Sequence, residues 1–430
     1  MGIILRIRIV KDAQMSTRRV MPHVALKPHA ADNTPHKPCI CIFSALYDPH
    51  VGGVETYTKG IAQALVGTGC RVIVVTSNTN NAPTFETAGN VDVVRLPCNS
   101  LFGGRFPFPK NYRESKRLWV RIEKQPIDHV VVNTRFYPLS ILGLRFAKRK
   151  GIQPVLIEHG SAHLTLGNKM LDFPLHIVEH VMTALAKRYS PNCYAVSKKA
   201  SEWLSHFSIS SHGEIPNSIN ADDYAEGAST RDFRSEFNIP NDAILIVSAG
   251  RFVPEKGVLQ LAKATKIASE QGYDLFTIMA GDGPLLHDVE KLHCPAVLTP
   301  GMLDKSDLAA LLLQADYFCL PSRSEGFSTV LLEAAACSTA AIATDVGGMQ
   351  EIAPTSEYGI ILPSMETEDI ANALEKAAIS RGQSNSMGSN AARRVRECYT
   401  WDKSAQLLLA ACKKSTTPPG RTNFLRVSNK

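Results

Sequence analysis

In GRFVPEKG, Arg251 and Lys256 lie five residues apart across a turn that contains Pro254 and Gly257. A planar guanidinium fork and a compact ammonium projected together from a strand end are what a diphosphate requires. Farther along, SRSEGFSTVLLEAAAC (322–337) sets Glu325 and Glu333 in a run of small and apolar residues, with Gly326 directly after the first acid. Were the whole stretch helical, the two acids would be turned apart by about 800° and separated by about 12 Å, too far to share one bond. The spacing instead predicts a loop at Glu325 and Gly326, an N-cap at Ser328 or Thr329, and a helix over Val330 to Ala336. The backbone N–H groups of Ser328 to Val330 are then free to face an anion. AGDGPL adds Gly281 and Gly283, and ATDVGGMQEI adds Gly347 and Gly348, where backbone can approach a ligand closely. Together these residues describe an anion site flanked by carboxylates able to accept bonds from hydroxyls.

Each motif follows a short apolar run, which reads as a strand. AILIVSAG, LFTIMAGDG, AVLTPG, DYFCLPS and AAIATDVGG alternate with helical stretches in the second half, and CICIFSAL, RVIVVTSN, VDVVRLP, HVVVNT, PVLIEHG and CYAVS do so in the first. Such alternation predicts parallel sheets covered by helices. The expected architecture is α/β, with two doubly wound Rossmann-like halves whose strand C-termini face a common cleft. Residues 1–36 read as a disordered extension or a start placed too early, with Met15 or Met21 as the alternative beginning. Residues 37–219 then form the first half, the polar passage 220–242 a linker, 243–412 the second half, and 413–430 a basic tail.

The order and spacing of GRFVPEKG, AGDGPL, the acid pair in SEGFSTVLLE and the distal glycines resemble the retaining glycosyltransferases of family 4, which have the GT-B fold. PHVGGVETYTKGIAQAL is similar to that family's glycine loop and first helix, EHG to its active-site histidine motif, IPNSIN to its hinge, and YTWDKSAQLLLAAC to a last helix that crosses back to the first half. The resemblance spans roughly residues 38–412. It implies transfer of a hexose from a UDP- or GDP-linked donor to a glycan or lipid-linked acceptor, in polysaccharide, glycolipid or envelope assembly. It further implies that Arg251 and Lys256 neutralise the diphosphate, that Glu333 binds the ribose and Glu325 the donor sugar, and that Phe327, Ser328, Thr329 and Val330 cradle the distal phosphate. Gly52 and Gly53 would let the first-half loop close over the donor, Gly281 would admit it closely, and His159 would stand beside the transferred sugar. No cofactor beyond this donor is implied. Ser328 and Ser218 stand where the family commonly has glycine.

Rival readings carry less. HIVEH (176–180) matches the H-x-x-E-H pattern of inverted zinc peptidases, but no third ligand accompanies it, and a helix with two polar histidines explains it as well. No Asp-x-Asp pair occurs, so metal-free catalysis is expected. An inactive nucleotide-sugar-binding protein of the same fold is the alternative, against which Arg251, Lys256, Glu325 and Glu333 are all intact. The ten cysteines are scattered through apolar segments, as core residues.

The formal charge of +7 is concentrated in the two tails, leaving the body near −2. Within the body, residues 105–150 carry twelve Lys/Arg against three acids. That surplus suits an anionic surface, and the resemblance favours lipid over nucleic acid. NYRESKRLWVRIEK reads equally as a solvated helix face or as an amphipathic helix with Arg113, Lys116, Arg117 and Arg121 towards anionic lipid and Leu118 and Trp119 near the interface. No apolar run approaches the roughly 20 residues of a membrane helix. The location expected is cytoplasmic, with peripheral attachment at the inner membrane face as the hypothesis that the lipid reading adds.

Overall fold

The structure is a computed structural model and describes residues 37–50, 52–101, 104, 106–110, 113–163, 165, 169–380 and 382–416. The expectations for residues 1–36, and for the basic tail beyond 416, lie outside these. The first half runs β1 (Cys39–Phe43), α1 (Gly53–Gly67), β2 (Arg71–Asn78), β3 (Phe85–Ala88), β4 (Val91–Leu101), β5 (Phe106–Pro109), α2 (Arg113–Glu123), β6 (His129–Asn133), α3 (Pro138–Lys150), β7 (Val155–Glu158), α4 (Lys169–Lys187), β8 (Asn192–Ala195) and α5 (Lys198–His206). Two short helices follow, α6 (Ala221–Glu226) and α7 (Phe233–Glu236). The second half runs β9 (Ile244–Ala249), α8 (Val258–Glu270), β10 (Leu275–Ala280), α9 (Leu286–Glu290), β11 (Val297–Gly301), α10 (Lys305–Gln314), β12 (Tyr317–Leu320), α11 (Thr329–Ala336), β13 (Ala340–Thr344), α12 (Met349–Ile352), β14 (Gly359–Leu362), α13 (Thr367–Ile379), α14 (Gln383–Cys398) and α15 (Trp401–Thr416).

The strands form two sheets. The first has the order β3-β4-β2-β1-β6-β7-β8, with β5 paired to β4, and the second β11-β10-β9-β12-β13-β14. All pairings are parallel except those of β3 and β5 with β4. The strands are apolar on both faces because helices cover both: all five residues of β1 and of β13 are buried. Strand order reverses between β1 and β6 in the first sheet and between β9 and β12 in the second. Those are the points where an open α/β sheet leaves a crevice beyond its strand ends. Arg251 and Lys256 follow β9, and Glu325 to Ser328 follow β12, so the second crevice lies between the predicted cations and the predicted acid.

The halves are tied at the far end of the chain. Trp401 opens α15 and lies against α1, where a Cβ on Gly60 would come 2.3 Å from its indole. Ser218, in the hinge segment, is buried and bonds through its hydroxyl to that of Ser404 at 2.8 Å. The serine found in place of glycine is thereby given a partner on the returning helix.

Two expectations are corrected here. The passage 220–242 is not a solvated linker: Tyr224 and Phe233 are buried, Arg231 and Ser229 both bond Asp307, and Arg234 pairs with Asp316. Its polar residues are caps and ion-pair partners that fasten α6 and α7 to the second half. Nor does α2 offer Leu118 and Trp119 to a lipid interface. Leu118 is 7% exposed, and the Trp119 ring stacks on Phe43 and meets Phe146, both at 6.0 Å. The apolar stripe of this helix is its core face, while Arg113, Lys116 and Arg117 stay exposed. Among the described residues, no helix is long and apolar enough to cross a membrane.

Candidate active site

The turn after β9 is shaped by glycine and proline. Pro254–Lys256 forms one 3-10 turn, and Gly257 closes it in the left-handed region at φ 66°. A side chain there would meet the carbonyl oxygen of Pro321 at 2.4 Å, so the turn lies directly against the loop after β12. In that position the Lys256 ammonium reaches Glu325 Oε1 in a short ion pair, while Arg251 is exposed. Gly281, at φ 150°, packs so tightly that an added Cβ would stand 1.8 Å from the carbonyl oxygen of Gly250. Its glycine is therefore required by the neighbouring strand end, which Arg251 follows.

Ser328 is the N-cap of α11, accepting from the Leu331 N–H at 3.4 Å. Its own N–H is not free for a phosphate, because it donates to the Gly347 carbonyl at 2.8 Å. That corrects the sequence reading and leaves Thr329 and Val330 as first-turn donors with no helical acceptor of their own. Phe327 contributes packing through its buried ring, 5.6 Å from Tyr399 and pressed on Gly348. Gly347 is equally confined, since a Cβ would meet that of Glu325 at 2.3 Å. Glu333 lies one turn into the helix, half-buried. Burial pushes its carboxyl up to about 7, an effect Lys305 partly offsets.

From the first half, the loop after β7 docks on this arrangement. A Cβ on Gly326 would stand 1.7 Å from the carbonyl oxygen of His159. Ser161 and Ser197 donate hydroxyl bonds to the carbonyls of Glu325 and Gly326, both at 2.6 Å. The His159 ring meets Tyr57 edge-on at 4.7 Å and places Nε2 3.3 Å from Asn133 Oδ1. Burial holds this imidazole down to about 3, which favours its neutral form. Gly52 is the N-cap of α1 beside the Glu55 carboxylate, and a side chain on Gly53 would enter open space.

Sequence reasoning missed the group that holds this loop. Arg135, 1% exposed, pairs with Glu158 at 2.5 Å and with Glu179. Glu158 then accepts from the N–H groups of His159 and Gly160, at 3.1 and 2.8 Å. The acid preceding the histidine in EHG was the available signal. Glu179, the would-be base of HIVEH, is committed to Arg135.

A cavity of about 730 Å³ opens beside these loops. Its lining joins Ser161 and His163 to Trp203 and Lys199 of α5, and to Glu255, Arg323 and Asp345 of the second half. It flanks Lys256 and Glu325 without containing them. Lys199 and Asp345 pair across it at 3.0 Å.

Comparison with known proteins places these features in context. The profile of Glycosyltransferase Family 4 matches residues 51–223, and that of Glycosyl transferases group 1 matches residues 229–394. The chain is similar to the GPI3 subunit of phosphatidylinositol N-acetylglucosaminyltransferase from Saccharomyces cerevisiae, with 24% identity over 79% of this chain and 74% of that protein. It is also 26% identical to the D-inositol 3-phosphate glycosyltransferase of Paenarthrobacter aurescens, over 85% and 94% of the two chains. Among solved structures, sucrose-phosphate synthase from Thermosynechococcus elongatus superposes with a TM-score of 0.65 at 21% identity, over 88% of this chain and 99% of that one. Anabaena HepE in complex with UDP superposes at 0.64 with 16% identity, over 88% and 100%. These structures share the GT-B fold of two Rossmann-like halves.

Removing Arg135 would leave the buried Glu158 and Glu179 carboxylates without the guanidinium they share. Arg135→Leu is expected to lose about 3–5 kcal/mol of stability, read as a fall in the urea midpoint. A midpoint equal to that of the native chain would show that the pair does not hold the loop.

Proposed function

The chain belongs to the family 4, group 1 glycosyltransferases, and from that premise we propose that it is a retaining enzyme transferring a hexose from a UDP-linked donor to a hydroxyl of a lipid-linked acceptor. The observation that carries this is the meeting of the Lys256–Glu325 pair, at the switch point of the second sheet, with the His159 loop of the first half. UDP and UDP-glucose in the HepE complexes support the donor base. The phosphatidylinositol- and inositol-phosphate-directed relatives support a polyol-phosphate acceptor.

In this reading the bond between sugar C1 and the diphosphate oxygen breaks while the acceptor hydroxyl bonds C1 from the same face. The acceptor proton passes to the departing phosphate oxygen. Arg251 and Lys256 meet the negative charge growing on the diphosphate, together with the Thr329 and Val330 N–H groups. Glu333 accepts from the ribose hydroxyls, and Glu325 from hydroxyls of the donor sugar. Phe327 and Ser328 hold the helix start, Gly53 leaves open space for the donor, and Gly52 and Gly281, whose side-chain space is filled by the Glu55 carboxylate and the Gly250 carbonyl, shape the loops around it. His159 stays neutral and so does not repel the oxocarbenium-like sugar. The cationic work falls to Arg251 and Lys256, and we propose that transfer needs no metal ion.

The cavity beside Glu325 is of a size suited to an acceptor head group. Helix α4, which lines it through Asp172 and His176, also exposes Phe173, Ile177, Val178 and Val181. An apolar ridge next to an acceptor cavity supports a lipid-borne substrate. The basic face of α2 contributes attraction to an anionic membrane surface without insertion.

Lys256→Ala and Arg251→Ala are each expected to slow transfer by about 10²–10³-fold with folding retained, by loss of charge facing the leaving group. Turnover in excess chelator is expected to match that in buffer. Unchanged rates in both variants would remove these residues from the site. A raised carboxyl means that the folded chain holds a proton that the unfolded chain loses. Stability therefore falls as pH rises from 4.5 towards about 7. Glu333→Gln removes that dependence and is expected to be at least as stable as the native chain at pH 8. Its UDP affinity should fall by about 10–100-fold, the worth of hydrogen bonds to a charged acceptor. Calorimetric titration with UDP alongside urea unfolding reads both effects, and unaltered UDP affinity would place the ribose elsewhere.

A further inference from the structure

The HIVEH segment of α4, which the donor site does not use, supplies one corner of a histidine cluster. His163 comes from the loop after β7, His180 from α4, and His206 from the last residue of α5. Their ring centroids are separated by 5.5 Å (His163 to His180), 5.0 Å (His163 to His206) and 5.4 Å (His180 to His206). One ring nitrogen from each lies within 4.8 Å of the other two. Three imidazoles bound tetrahedrally to one zinc ion, at about 2.0–2.1 Å, have centroids about 5.2 Å apart and donor atoms about 3.4 Å apart. The rings are therefore spaced as around a single ion. His180 and His206 are both exposed, and an ion bound here requires their rings to turn so that the donor nitrogens, within 4.8 Å of one another, close to about 3.4 Å.

Two further features favour a cation here. Glu179, nearly fully buried, places Oε2 2.9 Å from His163 Nδ1. With the Nδ1 proton held by a carboxylate, Nε2 remains as the ligating atom, the orientation that second-shell carboxylates give to metal-bound histidines. The charges behind it are unbalanced, because the single guanidinium of Arg135 faces both Glu158 and Glu179. A divalent ion in front of His163 offsets the excess negative charge, and the C-terminus of α5 at His206 adds the negative end of a helix dipole.

We propose that His163, His180 and His206 form a binding site for one zinc-class divalent ion, with its fourth position open to water. An all-imidazole set suits Zn²⁺, Ni²⁺ or Cu²⁺ rather than Mg²⁺ or Ca²⁺. The ion ties His163 to α4 and α5, while His159 and Gly160 are held separately by Glu158 and Arg135, and it lies apart from the Arg251, Lys256 and Glu325 locus. Its role is to hold the loop, with no part in the transfer step. Peptide hydrolysis is not implied, since Glu179 is engaged by Arg135 and His163.

Trp203 supplies a local reporter, its ring 4.8 Å from those of both His163 and His206. Tag-free full-length protein, stripped with chelator and dialysed, is titrated with Co²⁺ and then with Zn²⁺. The expected result is one equivalent of Co²⁺ per chain with the visible absorption of a tetrahedral site, quenched tryptophan fluorescence, and displacement by Zn²⁺. The double variant His180→Gln/His206→Gln alters exposed side chains, and its fold is checked by circular dichroism. It is expected to bind at least about a hundredfold more weakly and to lose the quenching. No stoichiometric binding by the native chain, or binding of equal affinity with the same spectrum in the variant, overturns the site.

Discussion

Gly326 has no side chain, and the carbonyl oxygen of His159 occupies the space where one would be, 1.7 Å from an ideal Cβ. This backbone-on-backbone contact sets how closely the first half approaches the loop after β12. Hydroxyl bonds from Ser161 and Ser197 to the carbonyls of Glu325 and Gly326 run beside it. Cores of this density do not deform gradually. The place of the His159 loop against Glu325 and Gly326 is therefore set by this one contact, while the Lys256–Glu325 ion pair lies wholly within the second half.

The contact is held from behind on each side by a different kind of interaction. On the first half, Arg135 and its two buried carboxylates fix the backbone at His159 and Gly160. Burying such a group is costly unless every charge is paired, so what it secures is one loop geometry rather than net stability. On the second half the constraint is steric: Gly257 and Gly347 each lie where any side chain would strike a neighbouring loop. The half-buried Glu333 carries the cost of its burial, a carboxyl displaced above its ordinary range.

The second half was the more legible in the sequence because its signals are local. A strand ending in glycine, a Pro-Glu-Lys-Gly turn and a serine N-cap depend on neighbours a few residues away, and the strand of AILIVSAG, the turn of GRFVPEKG and the Ser328 N-cap appear as read, whereas the bond from the Ser328 N–H to Gly347 does not. What escaped depends on distance along the chain. Arg135 and Glu179 are 44 residues apart, and a buried charge is written like a solvated one. The apolar stripe in α2 was visible, yet only the fold shows that Phe43 and Phe146 lie beneath Trp119. Likewise, the polar passage after residue 220 resembles a linker until Asp307 and Asp316 arrive from 76 and 82 residues away. The histidine cluster joins three elements and has one corner in a motif whose familiar chemistry the structure does not support.

The site depends on the two halves meeting through Gly326, and separating UDP affinity from turnover in Gly326→Ala tests this most directly. The added methyl must push the His159 loop away while leaving Arg251, Lys256 and Glu333 on their own half. UDP affinity is therefore predicted to stay within a few-fold of the native value while turnover falls by about a hundredfold, as expected when reacting groups are misplaced by an ångström. Native turnover in this variant, with UDP affinity unchanged, would contradict the claim that the site is assembled at this contact.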